Sequence, residues 1–597
     1  MSAPQFLGDL PRFVFFTGKG GVGKTSIACA SALRLARAGK RVLLVSTDPA
    51  SNVGQVFGVT IGNTITEIGS VPGLSALEID PEQAADDYRE RIIAPVRGLL
   101  PQSALASITE QLSGSCTTEV ASFDEFTGLL TDTDGAVVDF DHVLFDTAPT
   151  GHTIRLLQLP GNWTDFLETG KGDASCLGPL AGLDKQKATY AAAVAALADP
   201  GRTRLVLVAR PAPSSLREIE RTHAELAALG MTRPFVVVNA VMPAPRGSDD
   251  ALAGAVCRRE QAALADMPAA LGALPQDRIE LKAANMVGVD ALSTLFDAAI
   301  PESVDADRAV VPDVADVPLR ALVDEIERDG RGLVMCMGKG GVGKTTVAAA
   351  VAVALAERGH DVHLTTTDPA AHLAETLQGG IEHLRVSRID PAEAGRAYRD
   401  RVMATKGVHL DEEGKAALAE DLRSPCTEEV AVFQAFSRVI HESRSKFVVV
   451  DTAPTGHTLL LMDATGSYHR EIARQMGDGA HFTTPLMRLQ DPEQTKVLLV
   501  TLAETTPVLE AAELQGDLER AGIRPWAWVI NNSVAAAAPA ASLLRRRALA
   551  ELDQIDTVRG RHASRYAVIP LLADEPVGIP ALEALTTTTQ LQPDPIG

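Results

Sequence analysis

The segment Gly18-Lys19-Gly20-Gly21-Val22-Gly23-Lys24-Thr25 fits the pattern G-x-x-x-x-G-K-[ST]. Glycines at those positions let the backbone curl until successive N–H groups face one anion, and the helix that follows adds its positive dipole end. The same octapeptide recurs at Gly338-Lys339-Gly340-Gly341-Val342-Gly343-Lys344-Thr345. Ser26 and Thr346 carry each loop into its helix. Lys24 and Lys344 are expected to reach the β- and γ-phosphates of a nucleotide. The Thr25 and Thr345 hydroxyls are expected to ligate Mg2+, which prefers hard oxygen donors. A nucleotide phosphate and Mg2+ are therefore the expected ligands.

Acids follow the same logic. DTAPTGHT occurs at Asp146–Thr153 and again at Asp451–Thr458. Asp146 and Asp451 each end an apolar run, as an acid holding the Mg2+ shell must. Asp48 and Asp368, in TDPA segments that follow another apolar run, are candidates to position the attacking water; an isolated Asp-Pro would read as a turn. Asn239 and Asn531 close further apolar runs and are read as adenine contacts, with a turn or capping role as the alternative. Each loop also has a second lysine, Lys19 or Lys339, directly after its first glycine.

Soft ligands form a separate set. Cys116 in SGSCTTEV and Cys426 in RSPCTEEV occupy equivalent places, and Cys176 in GDASCLGPL aligns with His481. Three thiolates suit trivalent arsenic or antimony, with Zn2+ as the competitor. Cys29, Cys257 and Cys336 read as small buried hydrophobes.

The motifs need elements to hold them. Matching motifs lie 320, 320, 310, 305, 292 and 290 residues apart along the chain, so order is kept while the second copy shortens. That pattern means two homologous halves, with domains expected at 1–300 and 319–597. Pro301–Pro318, with three prolines and several acids, reads as the linker between them. Extended, it could span roughly 60 Å, enough for the halves to meet face to face. It is either a passive tether or a regulatory segment. In each half, short apolar runs alternate with helical stretches, the pattern of parallel βαβ units buried on both faces. The fold class expected is α/β, as two tandem P-loop domains with mostly parallel sheets flanked by helices, arranged as a pseudo-twofold intramolecular dimer.

Composition sets limits. The chain has 597 residues, 46% hydrophobic and 22% charged, which is ordinary for a globular protein. Its net charge of −22 argues against a broad nucleic-acid surface. Six cysteines without a CxxC pair are too few for a disulfide framework. The N-terminal segment lacks a signal-peptide pattern. The most apolar stretch, Val347–Ala356, is Ala-rich and fits a buried helix better than a membrane span.

GKGGVGKT resembles the deviant Walker A loop of the dimeric ATPase superfamily that includes the nitrogenase iron protein and partition ATPases. The resemblance implies that Lys19 and Lys339 each cross to the nucleotide held by the other half. The tandem loops, the paired DTAPTGHT and the cysteines in SCTTEV, ASCLGPLAGL and RSPCTEEVAVF together resemble the arsenical pump-driving ATPase family over nearly the whole chain. That likeness implies ATP hydrolysis stimulated by As(III) or Sb(III), carried by Cys116, Cys176 and Cys426 with His152, His457 and Ser424. On the residues alone, both histidines would read as hydrogen-bonding switch residues. The family also implies an integral-membrane arsenite carrier and an arsenite metallochaperone as partners. The chain is further expected to be a cytoplasmic monomer acting as a pseudo-dimer, peripheral at the inner face of the plasma membrane through the carrier, and its acidic charge leaves no nucleic acid among the expected partners. The rival resemblance is to the tail-anchored-protein targeting ATPase, which usually carries a CxxC zinc pair and a Met-rich groove; this chain has no CxxC and 11 methionines.

Overall fold

In a computed structural model of the chain, the apolar run ahead of each glycine loop is a strand, buried at nearly every position because its sheet is covered on both faces. The structure describes residues 4–47, 53–94, 97, 105, 109, 112, 115–131, 135, 137–147, 183–244, 250–297, 311–312, 314, 317–368, 373–422, 425–453 and 484–587. They fall into two units. One is Met1–Pro243 with Cys257–Lys282 and Met286–Ile300. The other is Pro301–Gly597 with Ala244–Val256 and Ala283–Asn285.

The first unit holds β1 (Phe13–Thr17), β2 (Val42–Ser46), β3 (Thr66–Glu67), β4 (Leu74–Glu78), β5 (His142–Asp146), β6 (Thr203–Ala209), β7 (Phe235–Val241) and β8 (Gln276–Glu280). Their order is β3-β4-β2-β5-β1-β6-β7-β8, and only the β3–β4 pair is antiparallel. Strand alternation divides the core. Val14 and Phe16 pack on one face with Ile27, Leu33 and Leu44. Phe13 and Phe15 pack on the other with Phe126 and Phe145. Phe15 and Phe145 stack with centroids 4.4 Å apart, and Phe126 meets Phe145 edge-on.

The second unit repeats the plan without the antiparallel edge. It holds β9 (Gly332–Met337), β10 (Val362–Thr366), β11 (Leu384–Arg388), β12 (Phe447–Asp451), β13 (Thr495–Leu502), β14 (Ala527–Ser533) and β15 (Tyr566–Pro570). Its order is β11-β10-β12-β9-β13-β14-β15, with every pair parallel. In each sheet the central strand, β1 or β9, has neighbours reached by crossovers to opposite sides. Ligands bind at the carboxyl end of such a strand.

Six helices bear on the site. They are α1 (Lys24–Arg37), α2 (Ser115–Thr131), α3 (Pro213–Ala228), α4 (Lys344–Glu357), α5 (Pro425–Glu442) and α6 (Thr505–Arg520). Val347–Ala356 is buried throughout, so the most apolar stretch is a core helix, as its alanine content predicts. Among the described residues no helix is long and apolar enough to cross a membrane. Most of the expected linker lies outside the described residues. Its last positions are ordered, with the Val317 carbonyl accepting the Val568 N–H at 2.9 Å and a helix starting at Leu319.

Candidate functional site

Each glycine loop is shaped by what surrounds it. A Cβ on Gly18 would overlap the Val208 carbonyl, and one on Gly338 would overlap the Val500 carbonyl. Gly23 and Gly343 have φ of 91° and 92°, and a Cβ there would overlap the side-chain amides of Asn239 and Asn531. Those amides donate to loop carbonyls, Asn239 Nδ2 to Val22 at 2.8 Å and Asn531 Nδ2 to Val342 at 2.9 Å. The residues after them, Ala240 and Asn532, take φ of 58° and 53°. At the same place the pairing to the edge strand slips register in both sheets, a bulge that re-aims a side chain.

The loop lysines are mostly covered. Lys24 and Lys344 are 7% and 6% exposed, and their Nζ atoms donate to the carbonyls of Lys19 at 3.2 Å and Lys339 at 2.9 Å. Lys339 itself pairs with Glu510 on α6, Nζ to Oε1, at 2.6 Å.

The acids stand beside the loops. Thr25 Oγ1 donates to Asp146 Oδ2 at 2.6 Å, and Thr345 Oγ1 to Asp451 Oδ2 at 2.9 Å. Thr366 Oγ1 is a second donor to Asp451 Oδ2, at 3.1 Å. Burial pushes the Asp451 carboxyl up to about 6, with Lys344, Thr345 and Thr366 pulling it down and Asp368 pushing it up. Among the described residues, its buried Oδ1 has no hydrogen-bond partner. A buried carboxylate oxygen next to a threonine hydroxyl and a lysine is a donor set that fits Mg2+ and a phosphate together. Asp368 follows β10, its N–H donating to Thr366 Oγ1 at 3.0 Å.

Threonine hydroxyls tie the acid strands to the loop strands. Thr147 Oγ1 donates to the Phe16 carbonyl at 2.8 Å, and Thr452 Oγ1 to the Cys336 carbonyl at 2.8 Å. The Thr47 and Thr367 N–H groups donate to the carbonyls of Asp146 and Asp451, both at 3.0 Å. The second position of DTAPTGHT is thus a structural bolt between two strand ends.

Several expected residues are not brought into view. Asp48, His152, Cys176, Ser424 and His457 lie outside the described residues. Cys116 and Cys426 are second in α2 and α5, with side chains outside what is described. Cys29, Cys257 and Cys336 are free and buried. Burial raises all three thiols, and Asp146 adds to the rise at Cys29 as Asp451 does at Cys336. Among the described residues no three His, Cys, Asp or Glu side chains form a group able to hold a metal ion. Thr366 and Glu510 were missed by motif reading. Lining up the two halves could have found them, since Ser46 and Glu218 stand at the equivalent positions.

Residues 11–300, 332–488 and 461–590 match the family described as Anion-transporting ATPase. The chain is 63% identical over 582 residues to an Arsenical pump-driving ATPase of Escherichia coli, covering 97% of this chain and 100% of that one. It is 61% identical over 584 residues to a protein of the same name from Acidiphilium multivorum, with the same coverage. An ATPase GET3 of Eremothecium gossypii is 34% identical over 253 residues, which is 39% of this chain and 72% of the relative.

Proposed function

The chain belongs to the anion-transporting ATPase family, and from that premise we propose that it is the ATP-hydrolysing subunit of an arsenite/antimonite efflux pump. The observation that carries the ATPase reading is the bond between loop threonine and strand-end aspartate, Thr25 to Asp146 and Thr345 to Asp451, made once in each half. Gly18, Gly20, Gly21, Val22 and Gly23, with Gly338, Gly340, Gly341, Val342 and Gly343, wrap the phosphates in backbone N–H groups. Lys24 and Lys344 neutralise the phosphates. Thr25 with Asp146, and Thr345 with Asp451, would hold Mg2+. That ion, when bound, offsets charge on the β- and γ-oxygens. Asp48 and Asp368 orient the attacking water, and Asn239 and Asn531, whose amide nitrogens brace the loops, are the residues read as adenine contacts. Hydrolysis then proceeds by positioning and electrostatics, without a covalent intermediate.

The cargo is As(III) or Sb(III), bound by Cys116, Cys176 and Cys426 with His152, His457 and Ser424. Support comes from the repeat equivalence of Cys116 and Cys426 and from relatives at 61–63% identity that carry the arsenical pump name. In DTAPTGHT the aspartate and the histidine are six residues apart in both copies, so one short segment can report metalloid binding to the nucleotide. The chain works as a cytoplasmic monomer with a membrane-embedded arsenite carrier and receives metalloid from a metallochaperone. The targeting-ATPase alternative is less favoured, because that likeness covers only 39% of the chain.

The test is ATP turnover with and without arsenite or antimonite, in the native chain and in Cys116→Ser plus Cys426→Ser. Turnover that rises with metalloid in the native chain alone is the expected result. Equal stimulation in both would overturn the cysteine assignment. Absence of any turnover would overturn the ATPase reading.

A further inference from the structure

The two halves treat the same loop lysine differently. In the second, Lys339 Nζ meets Glu510 Oε1 at 2.6 Å, with the two side chains 15% and 9% exposed. A carboxylate that well covered needs a cation close by, since desolvation otherwise penalises its charge. Glu218 stands 292 residues earlier, at the same place on α3 that Glu510 takes on α6. It is as well buried, at 8%, but the ion pair it makes is with Arg221 Nη2 at 2.8 Å, among the described residues and one turn along its own helix. The residue equivalent to Arg221 is Glu513. One helix therefore supplies its own cation, while the other places a second acid where that cation would be. Among the described residues Lys19 makes no ion pair.

We propose that Glu510 is a positioning residue that stows Lys339 within its own half, and that Arg221 prevents Glu218 from capturing Lys19 in the same way. The two loop lysines are thus unequally restrained. Lys19 can swing toward a phosphate at once, whereas Lys339 must first break a short, covered ion pair. If the loops bind nucleotide as proposed above, the nucleotide sites that the two lysines serve respond unequally to the same conformational change. The pairing itself does not depend on that reading.

Competitive acetylation of the full-length, nucleotide-free chain tests it, with peptide mass spectrometry reading each lysine. Only the neutral amine reacts, so an ion-paired ammonium labels slowly; one pKa unit of added stabilisation is about tenfold in rate. Lys339 should label about tenfold more slowly than Lys19. Glu510→Gln should raise Lys339 to the rate of Lys19, and Arg221→Glu should slow Lys19. Glu513→Arg keeps the carboxylate and gives it a helical partner, so it too should release Lys339. Equal rates for the two lysines in the native chain, or a Lys339 rate unchanged in both Glu510→Gln and Glu513→Arg, would overturn the proposal. ATP turnover in the same variants reads the phosphate-loop assignment separately. Labelling shifts without a change in turnover would leave the stowing contact standing and show that releasing Lys339 does not limit the rate, while unchanged turnover in Lys339→Ala would refute its catalytic role.

Discussion

The side-chain amide of Asn531 donates to the carbonyl of Val342 at 2.9 Å and occupies the space that a Cβ on Gly343 would need. Asn239 does the same to Val22 against Gly23. A strand end is thereby locked to a phosphate loop twice over. Asn531→Ala would leave a buried carbonyl without its donor, at a cost of about 1–3 kcal/mol. ATP affinity should fall by roughly tenfold or more, measured by calorimetric titration. An unchanged dissociation constant would show that the loop holds its shape without the amide.

Thr345 and Asp451 should reveal themselves through magnesium rather than through nucleotide. In Asp451→Asn the Mg2+ concentration giving half-maximal turnover should rise about 10–100-fold. ATP binding measured without Mg2+ should change little. Equal losses with and without the ion would place Asp451 in loop architecture instead.

The buried thiols predict a clean division of labour. Burial raises the thiols of Cys29, Cys257 and Cys336, so little thiolate is available to bind metalloid. A chain with Cys116, Cys176 and Cys426 all changed to serine should react slowly with a disulfide reagent until denatured, and should retain no arsenite after gel filtration. Retained arsenite would mean that one of the buried thiols is a ligand.

His363 should make the second unit sensitive to acid. Burial lowers its pKa from 6.5, although Glu442, 3.0 Å from Nδ1, opposes the shift. The unfolded ring then takes up a proton before the folded one does. Its contribution to stability is therefore full above about pH 6.5 and is lost as pH falls through the lowered folded value. Thermal midpoints between about pH 7 and about pH 5 should fall more steeply in the native chain than in His363→Asn. Parallel slopes would remove His363 from the account.

The loops, strand ends and central helices were legible in the sequence because glycine spacing and unbroken apolar runs have few structural solutions. Asp146 and Asp451 could be placed beside Thr25 and Thr345 because each ends a strand next to the loop strand. Side-chain direction was another matter. Asn239 could be placed at a strand end, but only the bulge at Ala240 explains why its amide meets Val22. Lys339 could be placed in its loop, but its partner lies 171 residues away on a helix with no motif. Glu510 stands out only when its half is laid on the other. The cysteine ligand set comes from the family likeness, and its side chains lie outside the described residues.

Helix α4 has a consequence for how the second unit comes into being. From Val347 to Ala356 every residue is covered, and one continuous cluster joins them to strands, to Leu322 and to Leu582. α1 differs, since Arg34 and Arg37 reach solvent. A helix with no wet face has nothing to gain from forming early. It is stabilised only when the sheet on one side and the segment carrying Leu582 on the other arrive together. Assembly around α4 is therefore a late, all-or-none event. A ribosome must deliver Leu582, about 225 positions beyond the end of α4, before its phosphate loop has a finished floor.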